Sequence, residues 1–204
     1  MMKNIKIICF DLDGVLINSL DNMLFAWKMT CLKNDLNIPF LVYKKYIGLP
    51  FYKILKNIGI KKNQKKIFND YNKFSKKKIN LIKFYPKTYE TLKDLKKNFI
   101  IGIITSKNKF RSNIILKNFK IKFNFILTPD DLRRGKPYSE AIIKIIKKYN
   151  VKKSEIIYLG DTKHDLEFSQ NSKINFLFAK WGYGRILNKK INRISKITDI
   201  YKFL

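Results

Sequence analysis

The chain has 204 residues, of which 46% are hydrophobic and 29% charged, so it can bury the core of one domain carrying a smaller insertion. This composition excludes a disordered tail, and no apolar run reaches the roughly 18 residues expected of a membrane span. Cys9 and Cys31 are too few for a disulfide framework, which favours a reducing, cytoplasmic location.

The charge balance is strongly positive, with 44 Lys and Arg residues against 15 Asp and Glu residues and a net charge of +29. Such a field attracts polyanions, so a nucleic-acid-binding protein is one class to consider. The alternative is a coding bias toward Lys, Ile, Asn, Phe and Tyr. The bias is favoured because the lysines are spread along the chain and arginine, which pairs bidentately with phosphate and guanine, is scarce.

Taken in chain order, the apolar pattern predicts alternating strands and helices. Short apolar runs typical of buried strands lie at residues 5–10, 99–104, 123–127 (the weakest), 155–159 and 174–179. Helical spacing of apolar residues occurs at residues 88–97, 110–119 and 139–150. This order predicts an α/β fold whose three-layer, Rossmann-like core has a parallel sheet covered by helices on both faces.

Residues 19–83 have a different pattern. They show helix-like spacing of apolar residues such as Leu20, Leu24 and Trp27, and they contain no convincing strand. Pro86 marks the point where the alternating pattern resumes. We therefore predict a discontinuous core of residues 1–17 and 84–204, with residues 18–83 forming a small all-α domain inserted after the first strand.

Polar and charged side chains follow four of the predicted strands. Because ligands of open parallel sheets bind beyond the carboxyl ends of the strands, we expect these side chains to meet at one edge. In chain order they are Asp11 and Asp13, then Thr105 and Ser106, then Lys136, then Asp161 and Asp165.

This set of side chains suits one kind of chemistry. Carboxylates placed close together repel one another and need a cation, and oxygen ligands favour a hard ion such as Mg²⁺. A hydroxyl and a lysine can bind phosphoryl oxygens, and a carboxylate can attack phosphorus to form an acyl phosphate. The sequence therefore indicates a metal-assisted phosphoryl-transfer site.

The segments "FDLDGVL", "IITS", "GKP" and "YLGDTKHD" together resemble the four ordered motifs of the haloacid dehalogenase superfamily, in its phosphatase branch. The resemblance covers residues 7–165. The helical insertion resembles the cap domain of phosphoglycolate phosphatase-like and β-phosphoglucomutase-like members. Within it, the loop Gly48-Leu49-Pro50 resembles a cap loop that faces the active site.

The resemblance implies a role for each residue of the site. Asp11 is expected to be the nucleophile, and Asp13 the general acid that later acts as base. Thr105 is expected to bind the phosphoryl group, with the neighbouring Ser106 sharing this role, and Lys136 is expected to bind it too and to neutralise charge on the nucleophile and the phosphoryl group. Mg²⁺ is expected to be bound by Asp11, by the backbone carbonyl of Asp13 and by Asp161, with Asp165 binding directly or through water.

Other residues near the motifs are given simpler interpretations. The only histidine, His164, lies inside "GDTKHD", but with Asp13 available as base we expect it to be an exposed loop residue. Gly182 and Gly184, in "AKWGYG", are expected only to let a loop turn sharply.

The resulting hypothesis is an enzyme, a Mg²⁺-dependent phosphatase acting on a small phosphate monoester, either phosphoglycolate-like or a sugar phosphate. A sugar phosphomutase of the β-phosphoglucomutase type and a basic nucleic-acid-binding protein with a vestigial site remain alternatives. For the favoured hypothesis we expect a small phosphorylated metabolite as partner, no stable nucleic-acid partner, no membrane association, and a monomer or weak homodimer.

Overall fold

The computed structural model describes residues 4–117, 121–188 and 190–204. In the described residues the strands are β1 (Ile7–Phe10), β2 (Ile17–Asn18), β3 (Lys83–Phe84), β4 (Ile100–Ile104), β5 (Phe125–Leu127), β6 (Ile156–Gly160), β7 (Asn175–Ala179) and β8 (Arg193–Ile194). The α-helices are α1 (Leu20–Lys33), α2 (Phe40–Lys44), α3 (Phe51–Asn57), α4 (Gln64–Lys77), α5 (Thr88–Asn98), α6 (Lys109–Lys117), α7 (Glu140–Tyr149) and α8 (Lys163–Ser172). None of these helices is both long and apolar enough to cross a bilayer.

Six strands form one parallel sheet in the order β5-β4-β1-β6-β7-β8. Strand β1 lies between β4 and β6, so three carboxyl ends meet near the middle of the sheet. The five strands predicted from apolar runs are all present, within about two residues of the expected bounds. The α/β fold class is confirmed.

Apolar side chains cover both faces of the sheet. Ile8 and Phe10 of β1 pack into one buried cluster with Leu92 of α5. Ile7 and Cys9, which alternate with them, pack into a second cluster on the other face. Because successive residues of a strand point to opposite faces, this arrangement produces a sheet buried between two helical layers.

The helices of the core agree with the predicted positions. Helices α5 and α7 lie within one residue of the predicted ranges 88–97 and 139–150. Helix α6 matches the range 110–119 as far as Lys117, and the end of that range lies outside the described residues.

The inserted helices α1 to α4 enclose a third apolar cluster built on aromatic side chains. Trp27, Tyr43 and Tyr71 are each at most 3% exposed. The ring of Tyr43 stacks on Trp27 with centroids 4.7 Å apart and packs at a tilt against Tyr71 with centroids 5.8 Å apart. At the base of the insertion β2 and β3 form a short antiparallel pair. This pair was not predicted, since two residues carry no periodic signal. The division of the chain into core and cap domains stays a prediction.

Candidate active site

The carboxyl ends of three central strands place three polar residues side by side. Asp11 follows β1, Thr105 follows β4 and Asp161 follows β6, and all three are buried. The hydrogen bonding between β1 and β6 extends one residue past the end of β1, since the amide of Asp11 donates to the carbonyl of Leu159 at 2.9 Å. The predicted convergence at one sheet edge is therefore observed.

Lys136 lies at the centre of this edge, in the loop before α7. Its Nζ is 3.2 Å from Oδ1 of Asp11 and 2.6 Å from Oδ1 of Asp165, and its side chain is 1% exposed. The ammonium also donates to the hydroxyl of Tyr158 at 2.8 Å. Burial by itself lowers the pKa of Lys136, but the carboxylates of Asp11 and Asp165 outweigh it and raise the pKa above its ordinary value. Lys136 is therefore a fixed cation beside Asp11.

Asp165 orients Lys136 and the start of α8. Its Oδ1 accepts from Lys136 and from the hydroxyl of Tyr158, the latter at 2.8 Å. Its Oδ2 accepts from the hydroxyl of Thr162 at 2.6 Å and from the amides of Asp161 and Thr162. Burial raises the pKa of Asp165, but Lys136 and these donors outweigh it and lower the pKa. Both carboxylate oxygens are thus already well supplied with donors.

Asp161 has an oxygen without a donor. Its Oδ2 accepts from the amide of Tyr183 at 2.6 Å, whereas its Oδ1 is buried and has no hydrogen-bond partner in the described structure. Asp11, Asp161 and Asp165 each offer one carboxylate oxygen, and these oxygens lie within 4.8 Å of one another. A buried carboxylate oxygen with no donor, close to two other carboxylates, fits a bound hard cation.

The pKa values of Asp11 and Asp161 also indicate a site for a cation. Burial raises the pKa of Asp11 to about 7, with Lys136 opposing the shift and Asp165 and Asp13 adding to it. Burial, then Asp165 and Asp11, raises the pKa of Asp161 well above its ordinary value. Two buried carboxylates cannot both ionise easily unless positive charge beyond that of Lys136 is present, and a bound divalent cation would supply it.

Three glycines allow the backbone to approach Asp161. A Cβ on Gly14, whose φ is +83°, would lie 2.2 Å from Oδ2 of Asp161. A Cβ on Gly182 would lie 2.2 Å from Cβ of Asp161, and one on Gly184 would lie 2.2 Å from the carbonyl oxygen of Asp161. The interpretation of Gly182 and Gly184 as mere turn residues was wrong, because both are required for close packing around Asp161.

Asp13 is not part of the cluster formed by Asp11, Asp161 and Asp165. Its Oδ2 is 2.9 Å from Nζ of Lys107, and its Oδ1 accepts from the hydroxyl of Ser19. The amide of Ser19 in turn donates to the hydroxyl of Tyr183 at 2.7 Å. Burial, and then the neighbouring Arg111, lowers the pKa of Lys107 to about 8, against the opposing effect of Asp13. The side chain of Asp13 is thus held in place by a cation and a hydroxyl.

The predicted phosphate-binding hydroxyls lie beside these aspartates. The Oγ1 of Thr105 accepts from the amide of Lys107 at 3.1 Å, which leaves its own proton free to donate. The hydroxyl of Ser106 is buried and has no hydrogen-bond partner in the described structure. Either hydroxyl can therefore donate to a bound anion.

A cavity of about 140 Å³ lies above this edge of the sheet. Asp11, Asp13, Thr105, Ser106 and Lys107 line it from the core. From the inserted helices it is lined by residues that include Gly48, Leu49, Pro50 and Phe51. The loop expected to face the site therefore borders the cavity, and its contact with substrate stays a prediction.

His164 differs from expectation. It lies in the first turn of α8 rather than in a loop, and its side chain is only 12% exposed. Its Nε2 is buried without a hydrogen-bond partner in the described structure, and burial followed by Lys136 lowers its pKa. The expectation of an exposed residue was wrong because the N-cap at Thr162 begins the helix before His164. His164 does not line the cavity with Asp11.

Several residues of the site carried no usable sequence signal. Lys107, Ser19, Arg111 and Tyr183 all contact or border the aspartates. Lysine is so common in this chain that Lys107 could not be singled out, although it follows the "ITS" motif directly. Ser19, Arg111 and Tyr183 reach the site only through the packing of the insertion and of the loop after β7.

The parallel sheet carries an aspartate-x-aspartate segment after its central strand. Together with the buried lysine and the second aspartate pair, this arrangement is that of a hydrolase of the haloacid dehalogenase type. The family model for haloacid dehalogenase-like hydrolases matches residues 8–179. The chain belongs to this family, and it is an enzyme of the family's phosphatase branch.

Curated relatives and solved structures agree with this assignment. A pyrophosphatase, PpaX, from Bacillus velezensis is 30% identical over 190 residues, which is 88% of this chain and 85% of the relative. PpaX from Bacillus mycoides is 29% identical over 186 residues, covering 87% and 84% of the two chains.

Two solved structures share the whole fold. That of a "predicted phosphoglycolate phosphatase" from Haemophilus somnus superposes with a TM-score of 0.87 at 24% identity, covering 99% of each chain. That of a "predicted phosphatase" from Clostridium acetobutylicum has a TM-score of 0.83 at 20% identity, covering 97% of each chain.

Proposed function

We propose that this protein is a Mg²⁺-dependent phosphatase that hydrolyses a small phosphate monoester through an aspartyl-phosphate intermediate on Asp11. The observation that carries the proposal is the position of Asp11. Its carboxylate lies beside the cation Lys136 and near a carboxylate oxygen of Asp161 that has no donor. The same carboxylate lines a cavity large enough for a small substrate.

In the first step a carboxylate oxygen of Asp11 attacks phosphorus, and the bond from phosphorus to the leaving oxygen breaks. Asp13 gives its proton to that oxygen, so an alcohol departs and an acyl phosphate remains on Asp11. In the second step Asp13 takes a proton from water, the water oxygen attacks phosphorus, and Asp11 leaves as a carboxylate. The ion pair with Lys107 and the hydrogen bond from Ser19 fix the position of the Asp13 carboxyl group, which must carry a proton for the first transfer and be ionised for the second.

The transferring group is bound by donors on three sides. Thr105 and Ser106 line the cavity and carry hydroxyls that can donate, and Lys136 supplies a fixed positive charge next to Asp11. Positioning and charge neutralisation of this kind account for most of the rate enhancement in phosphoryl transfer.

Residues for the metal are present in the same place. Mg²⁺ would be held by the carboxylates of Asp11 and Asp161 and by the backbone carbonyl of Asp13. Asp165, whose oxygens already accept from Lys136, Tyr158 and Thr162, suits contact through water better than direct contact. When bound, the ion supplies positive charge that lets the carboxylates ionise together and draws the phosphoryl oxygens toward Asp11.

The proposed partner is a small phosphorylated metabolite in the cytoplasm. The small, partly apolar cavity favours a compact substrate, and a phosphoglycolate-like compound or a sugar phosphate fits the proposal. Pyrophosphate is a second candidate, because the two curated relatives reported above are pyrophosphatases. We propose no stable nucleic-acid partner, no membrane association, and a monomer or weak homodimer.

A phosphate-release screen tests the proposal. Wild-type protein is incubated with phosphoglycolate, several sugar phosphates and pyrophosphate, with Mg²⁺ or with EDTA, beside Asp11→Asn. We expect release that needs both Mg²⁺ and Asp11. Release that persists undiminished in Asp11→Asn would rule out the mechanism. A sugar phosphomutase would release little phosphate and need a bisphosphate activator, and a nucleic-acid-binding protein would bind DNA or RNA in a steeply salt-dependent manner that is unaffected by Asp11→Asn.

A further inference from the structure

Three cationic side chains are buried in the described part of the chain: Lys107, Arg111 and Lys136. The two lysines each form ion pairs with buried or half-buried aspartates. Arg111 forms none within the described residues, although it is only 8% exposed. The other four arginines of the chain are exposed or half-buried. Burying a guanidinium without a carboxylate partner costs free energy, so the burial of Arg111 needs an explanation.

Arg111 is nevertheless held firmly in place. It lies in the first turn of α6, and its side chain crosses to α4 of the insertion. Its Nη2 donates to the hydroxyl of Ser75 at 2.9 Å, and its guanidinium carbon lies 4.9 Å from the ring centre of Tyr71. These partners orient the guanidinium, but neither carries a negative charge that would neutralise it.

One donor of Arg111 is unsatisfied. Its Nε is buried and has no hydrogen-bond partner in the described structure. Asp13, which lines the same cavity, is already bound by Lys107 and Ser19. The positive charge and the unsatisfied Nε donor of Arg111 could therefore bind an anionic group of a ligand.

Arg111 borders the same cavity as Asp11 and Asp13. A phosphoryl group held by Thr105, Ser106 and Lys136 would leave the rest of a substrate in the part of the cavity lined by Arg111 and the inserted helices. The whole cavity has a volume of about 140 Å³, so a compact molecule would bridge the cation and the reacting phosphorus.

We propose that Arg111 is a specificity-determining residue that binds a second anionic group, a carboxylate or phosphate, on the leaving part of the substrate. This inference rests on the proposed function and narrows it. The substrate class becomes small compounds with two anionic groups, in preference to phosphate esters of neutral alcohols. Recognition is strong because an arginine fork binds such oxygens by charge-assisted hydrogen bonds.

Binding of two phosphonates that are not hydrolysed tests this proposal without requiring turnover. Phosphonoacetate carries a carboxylate, and ethylphosphonate is similar in size but lacks it. Titration calorimetry with saturating Mg²⁺ compares wild type with Arg111→Gln and Arg111→Lys. Lys109→Gln is the matched control, since Lys109 lies on the same helix with an exposed side chain paired with Asp131.

We expect Arg111→Gln to weaken phosphonoacetate binding by about tenfold or more, and ethylphosphonate binding by less than about twofold. Arg111→Lys should lie between wild type and Arg111→Gln, and Lys109→Gln should match wild type. Equal weakening of both phosphonates, or no change in either, would overturn the proposal, because a merely structural role does not discriminate between them. If wild type binds and discriminates but releases no phosphate from any ester, the proposed function fails while the role of Arg111 stands.

Discussion

Nζ of Lys136 lies 2.6 Å from Oδ1 of Asp165, and each of the two side chains is only 1% exposed. The same ammonium is 3.2 Å from Oδ1 of Asp11, so one buried cation pairs with a carboxylate at the end of β1 and with another in the first turn of α8. The site is therefore a charge network whose members depend on one another for both stability and chemistry.

Replacing Lys136 by methionine should affect stability and catalysis together. The change leaves two buried carboxylates uncompensated, so the free energy of unfolding near pH 7 should fall by about 3–5 kcal/mol. The turnover number should fall by about 100-fold or more, because a cation beside the nucleophile is lost. Urea denaturation and phosphate release measure the two effects. Lys144→Met, at a half-exposed side chain near Glu140, is the control and should change neither by much, whereas a fully stable Lys136→Met would contradict the network.

The metal-free protein should lose stability as pH rises toward neutrality. The pKa of Asp11 in the folded protein is raised to about 7, so the folded protein binds a proton at Asp11 more tightly than the unfolded chain does. Its contribution is fully present below the unfolded pKa and is lost as pH rises through about 7, amounting to about 4 kcal/mol over this window. Asp165 acts in the opposite sense, since its lowered pKa adds stability that is lost only at acidic pH.

Urea denaturation in EDTA between pH 4 and pH 8 measures this dependence, with Asp11→Asn as the comparison. The unfolding free energy of wild type, measured relative to that of Asp11→Asn, should decrease as pH rises. Mg²⁺ should reduce this decrease. A flat difference across that range would show that Asp11 titrates normally.

Gly14→Ala should disrupt the metal-binding carboxylate. The added methyl group would lie 2.2 Å from Oδ2 of Asp161, so Asp161 must move. Gly59 provides a close control, because its φ of +86° matches the +83° of Gly14 while nothing lies within 4 Å of its Cβ position. Both alanines carry similar backbone strain, and only Gly14→Ala should weaken the apparent Mg²⁺ affinity, by about tenfold or more. Equal Mg²⁺ dependence in the two variants would argue against Asp161 as a ligand.

Tyr158→Phe removes a hydroxyl that links Lys136 to Asp165 at 2.8 Å on each side. The loss leaves a buried ammonium proton unsatisfied, so stability should fall by about 1–3 kcal/mol with a smaller loss of activity than in Lys136→Met. Tyr201→Phe removes a hydroxyl bonded to the exposed Asp94 and should cost much less. Thermal unfolding of both variants provides the comparison, and similar costs would show that the buried hydroxyl adds little.

The sequence predicted the sheet well because its strands are buried on both faces. Runs such as Ile7–Phe10 and Ile156–Gly160 are continuously apolar, and such runs have few structures open to them other than central strands. Strand β8 went unpredicted since Arg193 and Ile194 carry no periodicity and pair only because β7 offers them an edge. The same reasoning applies to the β2 and β3 pair.

The candidate site was predictable where topology alone fixes position. Asp11, Thr105 and Asp161 follow strands, and strand ends meet wherever a parallel sheet forms. Lys107, Arg111 and Ser19 were missed because their partners come from distant packing: the side chain of Asp13, the helix α4, and the loop that carries Tyr183. Such contacts depend on the tertiary structure and leave no spacing pattern in the chain.

Trapping of the intermediate is the most direct test of the central claim, the attack of Asp11 on phosphorus. Wild-type protein with Mg²⁺ and a hydrolysed substrate is quenched in acid during turnover, and its peptides are examined by mass spectrometry for an acid-stable, base-labile phosphoryl group. We expect this group on Asp11 of wild type and none in Asp11→Asn. Rapid substrate turnover with no phosphorylated Asp11, together with full activity of Asp11→Asn, would contradict this claim.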